Sequence, residues 1–281
     1  MTARDPRAVL RAAGLRPKKG LGQNFLVAEP IARAIAEACV PEGETGRARV
    51  VEIGAGTGAL TRWLVERSKT VTAIERDRDI VPLLREQLAG TSARVVEGDA
   101  RSVDLAALLG AADPASPRVL CGNLPYSITG ELLRRAVETA AFVERAIFMV
   151  QSEVAARLAA APGSSEWGAL TVFVHAAFSV RKILRAPPGA FHPAPDVSSA
   201  VVELLPLRPP RAVETPAFRA LVRRAFEARR KTLRNAWSGV ASDAQELARA
   251  AHEAGVSLDA RGETLEVEAF ARIEAALARP R

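Results

Sequence analysis

The chain has 281 residues, 48% hydrophobic and 25% charged, a globular composition that excludes a disordered chain. No stretch approaches the roughly 18 consecutive apolar residues of a membrane helix, so an integral membrane protein is excluded as well. Two cysteines, Cys39 and Cys121, are too few for a disulfide framework, and the scattered His175, His192 and His252 offer no metal-ligand spacing, so no metal is expected. The net charge of +7 is unevenly placed: residues 1–22 set six basic residues against Asp5, and residues 219–234 set seven against Glu227, which leaves the remainder net acidic. Two concentrated basic patches suggest a polyanionic partner, most simply a nucleic acid, although a solvated basic helix face would read the same way. Arginine outnumbers lysine 34 to 5, which suits phosphate forks and base stacking. The N-terminus shows no apolar run of the signal-peptide kind, and a cytoplasmic location is expected.

In chain order, apolar runs at 49–53 (RVVEI), 70–75 (TVTAIE), 93–97 (ARVVE), 118–122 (RVLCG) and 145–151 (RAIFMVQ) predict strands. Amphipathic stretches at 59–67, 80–88, 103–109 and 131–139 predict helices between them. Continuous apolar strands separated by helices are what a parallel sheet covered on both faces requires, which predicts a doubly wound α/β domain. Two further strand-like runs, 178–184 and 199–205, are joined by PPGAFHPAPD, too short and Pro-rich for a helix, and should pair antiparallel at the sheet edge. PLRPPRAVETP then reads as a linker, with Thr215 and Pro216 as a helix cap and first turn. Only helical periodicity follows. The expected domains are 1–206 and an all-helical 207–281.

The first strand runs into VVEIGAGTGAL, where Gly54, Gly56 and Gly58 allow a tight turn and close approach of a ligand to the backbone. The same run satisfies a dinucleotide pattern, with Glu75 at the distance of a ribose-binding acid, so a nicotinamide dehydrogenase competes here. Three acids favour S-adenosyl-L-methionine instead. Glu52, before the glycines, can face a cationic methionine end; Glu75 can accept from ribose hydroxyls; Asp99 can accept from an adenine amino group. Acids at strand ends can also merely cap the helices that follow.

GNLPY at 122–126 bears on the chemistry. Asn123 offers an amide oxygen, and Pro125, lacking an N–H, fixes the chain so that the Leu124 carbonyl can serve as a second acceptor. Tyr126 supplies a flat ring. Two acceptors and a stacking face suit an exocyclic NH₂ on an aromatic base, whose lone pair would be turned towards a methyl donor for in-line displacement. No strong general base is required, and the catalytic contribution is orientation and dipole placement. As an isolated motif, N-L-P-Y is also an ordinary turn.

These residues resemble those of class I S-adenosylmethionine-dependent methyltransferases, and more narrowly the ribosomal RNA adenine N6,N6-dimethyltransferases of the small-subunit, kasugamycin-sensitivity type. The resemblance spans GLGQNFL (20–26), VEIGAGTGALT (51–61), IERD (74–77), GDA (98–100), GNLPYSI (122–128), PGSSEWGALTV (162–172), FHPAPDVSSAVVEL (191–204) and FEARRKTLRN (226–235). It implies a Rossmann-like, mostly parallel seven-stranded sheet with an antiparallel edge strand. It implies cofactor contacts at Asn24, Leu26, Glu52, Gly54, Gly56, Glu75, Asp99, Ala100 and Asn123, with S-adenosyl-L-homocysteine as product. Tyr126 and Phe191 would hold a flipped adenine from its two faces, although Phe191 read alone is a core residue. Arg223, Arg229, Arg230, Lys231 and Arg234, with Trp237 behind them, would grip RNA in a helical RNA-binding domain. Leu21, Gly130, Trp167 and His175 depart from the family's usual residues; none removes an acceptor or an acid. The implied partners are small-subunit (16S) ribosomal RNA and the assembling 30S particle, with no membrane and a monomeric enzyme. The implied reaction dimethylates two adjacent adenines near the RNA's 3′ end during subunit maturation. The related large-subunit enzyme of the macrolide-resistance type, and an assembly factor acting mainly by binding, remain open.

Overall fold

Strand formation follows the apolar runs closely. In the computed structural model, which describes residues 5–227 and 230–279, the strands are β1 (Phe25–Leu26), β2 (Arg49–Ile53), β3 (Thr70–Glu75), β4 (Ala93–Glu97), β5 (Arg118–Asn123), β6 (Arg145–Gln151), β7 (Phe178–Ala186), β8 (Phe191–His192) and β9 (Ser199–Pro206). The helices before β7 are α1 (Pro6–Ala12), α2 (Glu29–Cys39), α3 (Thr61–Arg67), α4 (Ile80–Gln87), α5 (Leu105–Leu109), α6 (Thr129–Glu138), α7 (Ser152–Leu158) and α8 (Ala169–Ala177). After β9 come α9 (Pro216–Glu227), α10 (Leu233–Ala236), α11 (Ala244–Glu253) and α12 (Val267–Leu277). No helix among the described residues is long and apolar enough to cross a membrane.

The main sheet has seven strands in the order β4-β3-β2-β5-β6-β9-β7. β2 lies third in this order, with Val50 opposite Val71 of β3 on one side and Val119 of β5 on the other, all parallel. β9 runs antiparallel to β6, with Met149 opposite Val201, and β7 lies beyond it at the edge. β2, β5 and β6 are buried along nearly their whole length, whereas the edge strand β4 is partly exposed. One apolar cluster joins α2 and α3 to this sheet through Ile35, Cys39, Leu64, Val50, Val119 and Ile147. Both cysteines are reduced and buried. The Pro-rich PPGAFHPAPD is more than a turn. Its Phe191 and His192 form β8, which pairs antiparallel with β1 in a separate ribbon.

Chain contacts divide the molecule into residues 1–155 with 180–206, and residues 156–179 with 207–281. One crossing falls at the expected 206/207 boundary. The stretch 156–179, assigned to the first domain from sequence, groups instead with the C-terminal helices. The reason is apolar: Trp167, Val172, Phe173 and Ala176 pack in one core with Phe218, Trp237 and Phe270. The indole N–H of Trp167 donates to the Leu265 carbonyl at 3.0 Å, and that of Trp237 to Leu221 at 2.9 Å, so both buried rings are satisfied. Thr215 caps α9 as expected, its hydroxyl accepting from the Phe218 N–H at 3.0 Å.

Candidate active site

The parallel strands β2, β3, β4 and β5 end side by side, and a cleft opens over their C-terminal ends, enclosing about 1020 Å³ with its mouth included. Its walls are the glycine loop, the residues after β3 and β4, the turn after β5, and the segment 21–26 that leads into β1. Asn24, Leu26, Glu52, Gly54, Gly56, Glu75, Asp99, Ala100, Asn123, Leu124, Pro125 and Tyr126 all line it. The eight predicted cofactor positions that lie before residue 76, or in GDA, and the N-L-P-Y turn therefore face one space.

The glycine loop is built for close approach. Gly56 has φ +57°, and a Cβ there would stand 3.1 Å from the Phe25 ring, so a side chain at 56 would be strained and crowded at once. Glu75, buried at the end of β3, ties this loop down. Its carboxylate accepts from the Gly56, Arg76 and Asp77 amides, each at 2.8 Å, while burial raises its pKa. A carboxylate has about four acceptor positions, so one remains for an outside donor.

Glu52 differs in kind. It is 1% exposed, its Oε2 has no hydrogen-bond partner, and burial pushes its pKa up to about 7, with the charge of Glu75 adding to the effect. An orphaned carboxylate oxygen on a cleft wall fits a cationic ligand group. Thr57, on the same wall, also carries a buried hydroxyl without a partner. Asp99 is the opposite case. The Arg101 guanidinium forks onto both its oxygens, with Nη2 at 2.7 Å from Oδ2, and holds the carboxyl below its usual range. An adenine amino group meeting Asp99 would share it with Arg101.

Asn123 closes β5, and its Nδ2 donates to the Asn24 carbonyl at 2.9 Å. That bond fixes which end of the amide is the donor and leaves Oδ1 to accept. Leu124 is anchored by its N–H to the Met149 carbonyl at 3.0 Å, and Thr129 donates its hydroxyl to the Pro125 carbonyl at 2.9 Å. The half-buried Tyr126 shares a 2.6 Å hydrogen bond with Ser199, which orients its ring. Gly122 is demanded by the sheet itself: a Cβ there would lie 2.3 Å from the Ile53 carbonyl oxygen.

Phe191 is not part of the cleft lining. It pairs with Leu26 in the ribbon, is 4% exposed, and packs in the core cluster of the sheet. Arg223, Arg230, Lys231 and Arg234 are exposed, Arg234 with a 3.1 Å ion pair to Asp259, and Arg229 lies outside the described residues. Trp237 is fully buried, so it supports the helical core rather than offering a ring to RNA. Sequence reasoning missed Gln23, Phe25, Asp77 and Arg101. Gln23, Phe25 and Asp77 sit within segments already singled out, but nothing in their spacing announces that Asp77 holds Lys18 at 2.6 Å and Gln23 at 2.7 Å.

A glycine loop, strand-end acids and an Asn-Leu-Pro-Tyr turn over a seven-stranded sheet of this order define a class I methyltransferase. The chain belongs to the ribosomal RNA adenine dimethylase family, whose model matches residues 14–279. It is 46% identical over 283 residues to the ribosomal RNA small subunit methyltransferase A of Anaeromyxobacter sp. (strain K), covering 97% of this chain and 98% of that one. The protein of that name from Deinococcus radiodurans is 42% identical over 271 residues, covering 96% and 89%. Among solved structures, a dimethyladenosine transferase from Plasmodium falciparum shares the fold with a TM-score of 0.73, at 22% identity over 89% of this chain and 95% of that one. The 23S rRNA methyltransferase ErmE gives 0.63, at 26% identity over 91% and 100%.

Proposed function

We propose that this enzyme dimethylates N6 of two adjacent adenines near the 3′ end of small-subunit ribosomal RNA, using S-adenosyl-L-methionine. The observation that carries the reading is Asn123, whose amide nitrogen is engaged by Asn24 and whose oxygen is left to accept from an adenine amino group. When bound, S-adenosyl-L-methionine supplies an electrophilic methyl group. Glu52 would meet its ammonium, Glu75 its ribose, and the GDA loop its adenine. Nothing in the donor set conflicts with that ligand: acids line the wall, and a glycine loop presents backbone to it.

The chain's own work is orientation. Asn123 Oδ1 and the Leu124 carbonyl hold the two amino hydrogens, which turns the nitrogen lone pair out of conjugation and towards the methyl donor. Tyr126 stacks on the extruded base, an interaction worth about 1–3 kcal/mol that offsets part of the cost of extrusion. Phe191, beside Leu26 in the ribbon, would reach the second face only if its ring left the core. The proton of the alkylated, now acidic nitrogen is lost to water, and two such transfers give N6,N6-dimethyladenosine. The exposed Arg223, Arg230, Lys231 and Arg234, with Arg229, would hold the RNA backbone. The 46% identity to a small subunit methyltransferase over nearly the whole chain supports small-subunit RNA within the assembling 30S particle as substrate.

The test is Asn123→Ala in a methyl-transfer assay with undermethylated small subunits. Transfer should fall by at least about 100-fold while RNA binding is retained. A near wild-type rate would overturn the acceptor role.

A further inference from the structure

The reaction proposed above needs one of two orientations of the Asn123 amide. With Oδ1 towards the base it accepts from the amino group; turned by half a rotation it would present its own N–H donors to another donor. An amide is nearly symmetrical in shape, so sterics alone choose weakly between the two. The choice is made by the Asn24 carbonyl, which can only accept and lies 2.9 Å from Nδ2.

That carbonyl sits in a segment with little regular structure of its own, and side chains hold the segment in place. Asp77, 4% exposed, takes Lys18 Nζ on Oδ1 at 2.6 Å and Gln23 Nε2 on Oδ2 at 2.7 Å. Gln23 Oε1 accepts from the Lys18 amide at 2.7 Å, closing a ring of hydrogen bonds around residues 18–23. Asp77 is fixed in turn, because its amide donates to Glu75 Oε1 at 2.8 Å. A connected line thus runs from Glu75 through Asp77 and Gln23 to the neighbouring Asn24, and from its carbonyl to Asn123.

We infer that residues 18–24 form a strap whose hold on Asp77 sets the orientation of the Asn123 amide, which makes Asp77 and Gln23 positioning residues for methyl transfer. Neither hydrogen-bonds to Asn123 itself. They act through the main chain of Asn24, and the inference rests on the reading of Asn123 as acceptor.

The experiment uses the full chain, uniformly ¹⁵N-labelled, with Gln23→Ala and Asp77→Asn beside the wild type. The Asn123 side-chain resonances are identified by their absence in Asn123→Asp, and the exchange of their protons with solvent is followed. Single-turnover methyl transfer and S-adenosyl-L-homocysteine affinity are measured on the same proteins. Gln23→Ala leaves the Lys18–Asp77 pair intact, so it remains informative if Asp77→Asn folds poorly.

Both variants should speed exchange of the Asn123 amide protons by roughly tenfold, the scale of one lost hydrogen bond. Transfer at saturating cofactor should slow by about tenfold to a hundredfold, with cofactor affinity little changed. Wild-type exchange in both variants would overturn the strap. A slower reaction restored in full by excess cofactor would also overturn it, since the segment would then serve only cofactor binding. Faster exchange with an undiminished transfer rate would uphold the link from strap to amide and overturn the acceptor reading beneath it.

Discussion

Replacing Glu52 by Gln separates the cofactor's need for a charge from the fold's cost of burying one. The carboxyl is 1% exposed, and its pKa rises from the ordinary 4.5 to about 7. A shift of that size penalises the ionised form by about 3 kcal/mol. The native state therefore binds the proton more tightly than the unfolded state. The contribution of Glu52 to wild-type stability therefore falls as pH rises from about 4.5 to about 7, and stays at the lower level above it. Glu52→Gln removes this dependence. In denaturant melts without ligand, its stability relative to wild type should climb by about 3 kcal/mol between pH 4.5 and pH 7, then level off. In thermal melts, each kcal/mol corresponds to roughly 2–4 °C for a domain of this size. Calorimetric titration with S-adenosyl-L-homocysteine should move the other way. Wild-type affinity should rise with pH through the same window, while the variant binds roughly tenfold to a hundredfold more weakly. A stability difference independent of pH would refute the burial argument. Undiminished ligand affinity would refute Glu52 as the partner of the ammonium.

Three further outcomes follow from the geometry. Gly122→Ala places a Cβ 2.3 Å from the Ile53 carbonyl oxygen, and should cost at least about 3 kcal/mol or prevent folding; a wild-type melting temperature would contradict it. Tyr126→Phe, which loses the Ser199 hydrogen bond but keeps the ring, should retain most kcat/KM, whereas Tyr126→Ala should lose roughly tenfold to a hundredfold. Equal losses in the two would exclude stacking. Neutralising Arg230, Lys231 and Arg234 together should reduce the slope of log binding constant against log salt by about two to three in a filter-binding titration; an unchanged slope would remove these residues from the RNA interface.

Much of this architecture is written in local periodicity. The five parallel strands are apolar runs of five to seven residues, buried in all but the edge strand β4 and long enough to show their character, and the predicted helices fall within about two residues of α3, α4, α5 and α6. The wall of the cleft is legible because glycines and acids recur at successive strand ends, where an open sheet gathers ligands. What escaped has no period. β1 and β8 are two residues each and exist only as partners of one another. The grouping of 156–179 with the C-terminal helices depends on Trp167 finding Leu265, 98 residues away. Phe191 could be assigned to either core or cleft from FHPAP, and only packing decides that its ring lies in the core. Lys18 and Asp77 stand 59 residues apart, and a single ion pair at that distance leaves no mark in composition or spacing.

The most direct test of the central claim supplies the purified enzyme with methyl-labelled S-adenosyl-L-methionine. One reaction contains small subunits lacking these methylations, and another protein-free large-subunit RNA. Nucleoside digests are then read by mass. N6,N6-dimethyladenosine from the small subunit alone is the predicted result. Product from the large-subunit RNA alone, or small-subunit binding with no product in either reaction, would contradict it.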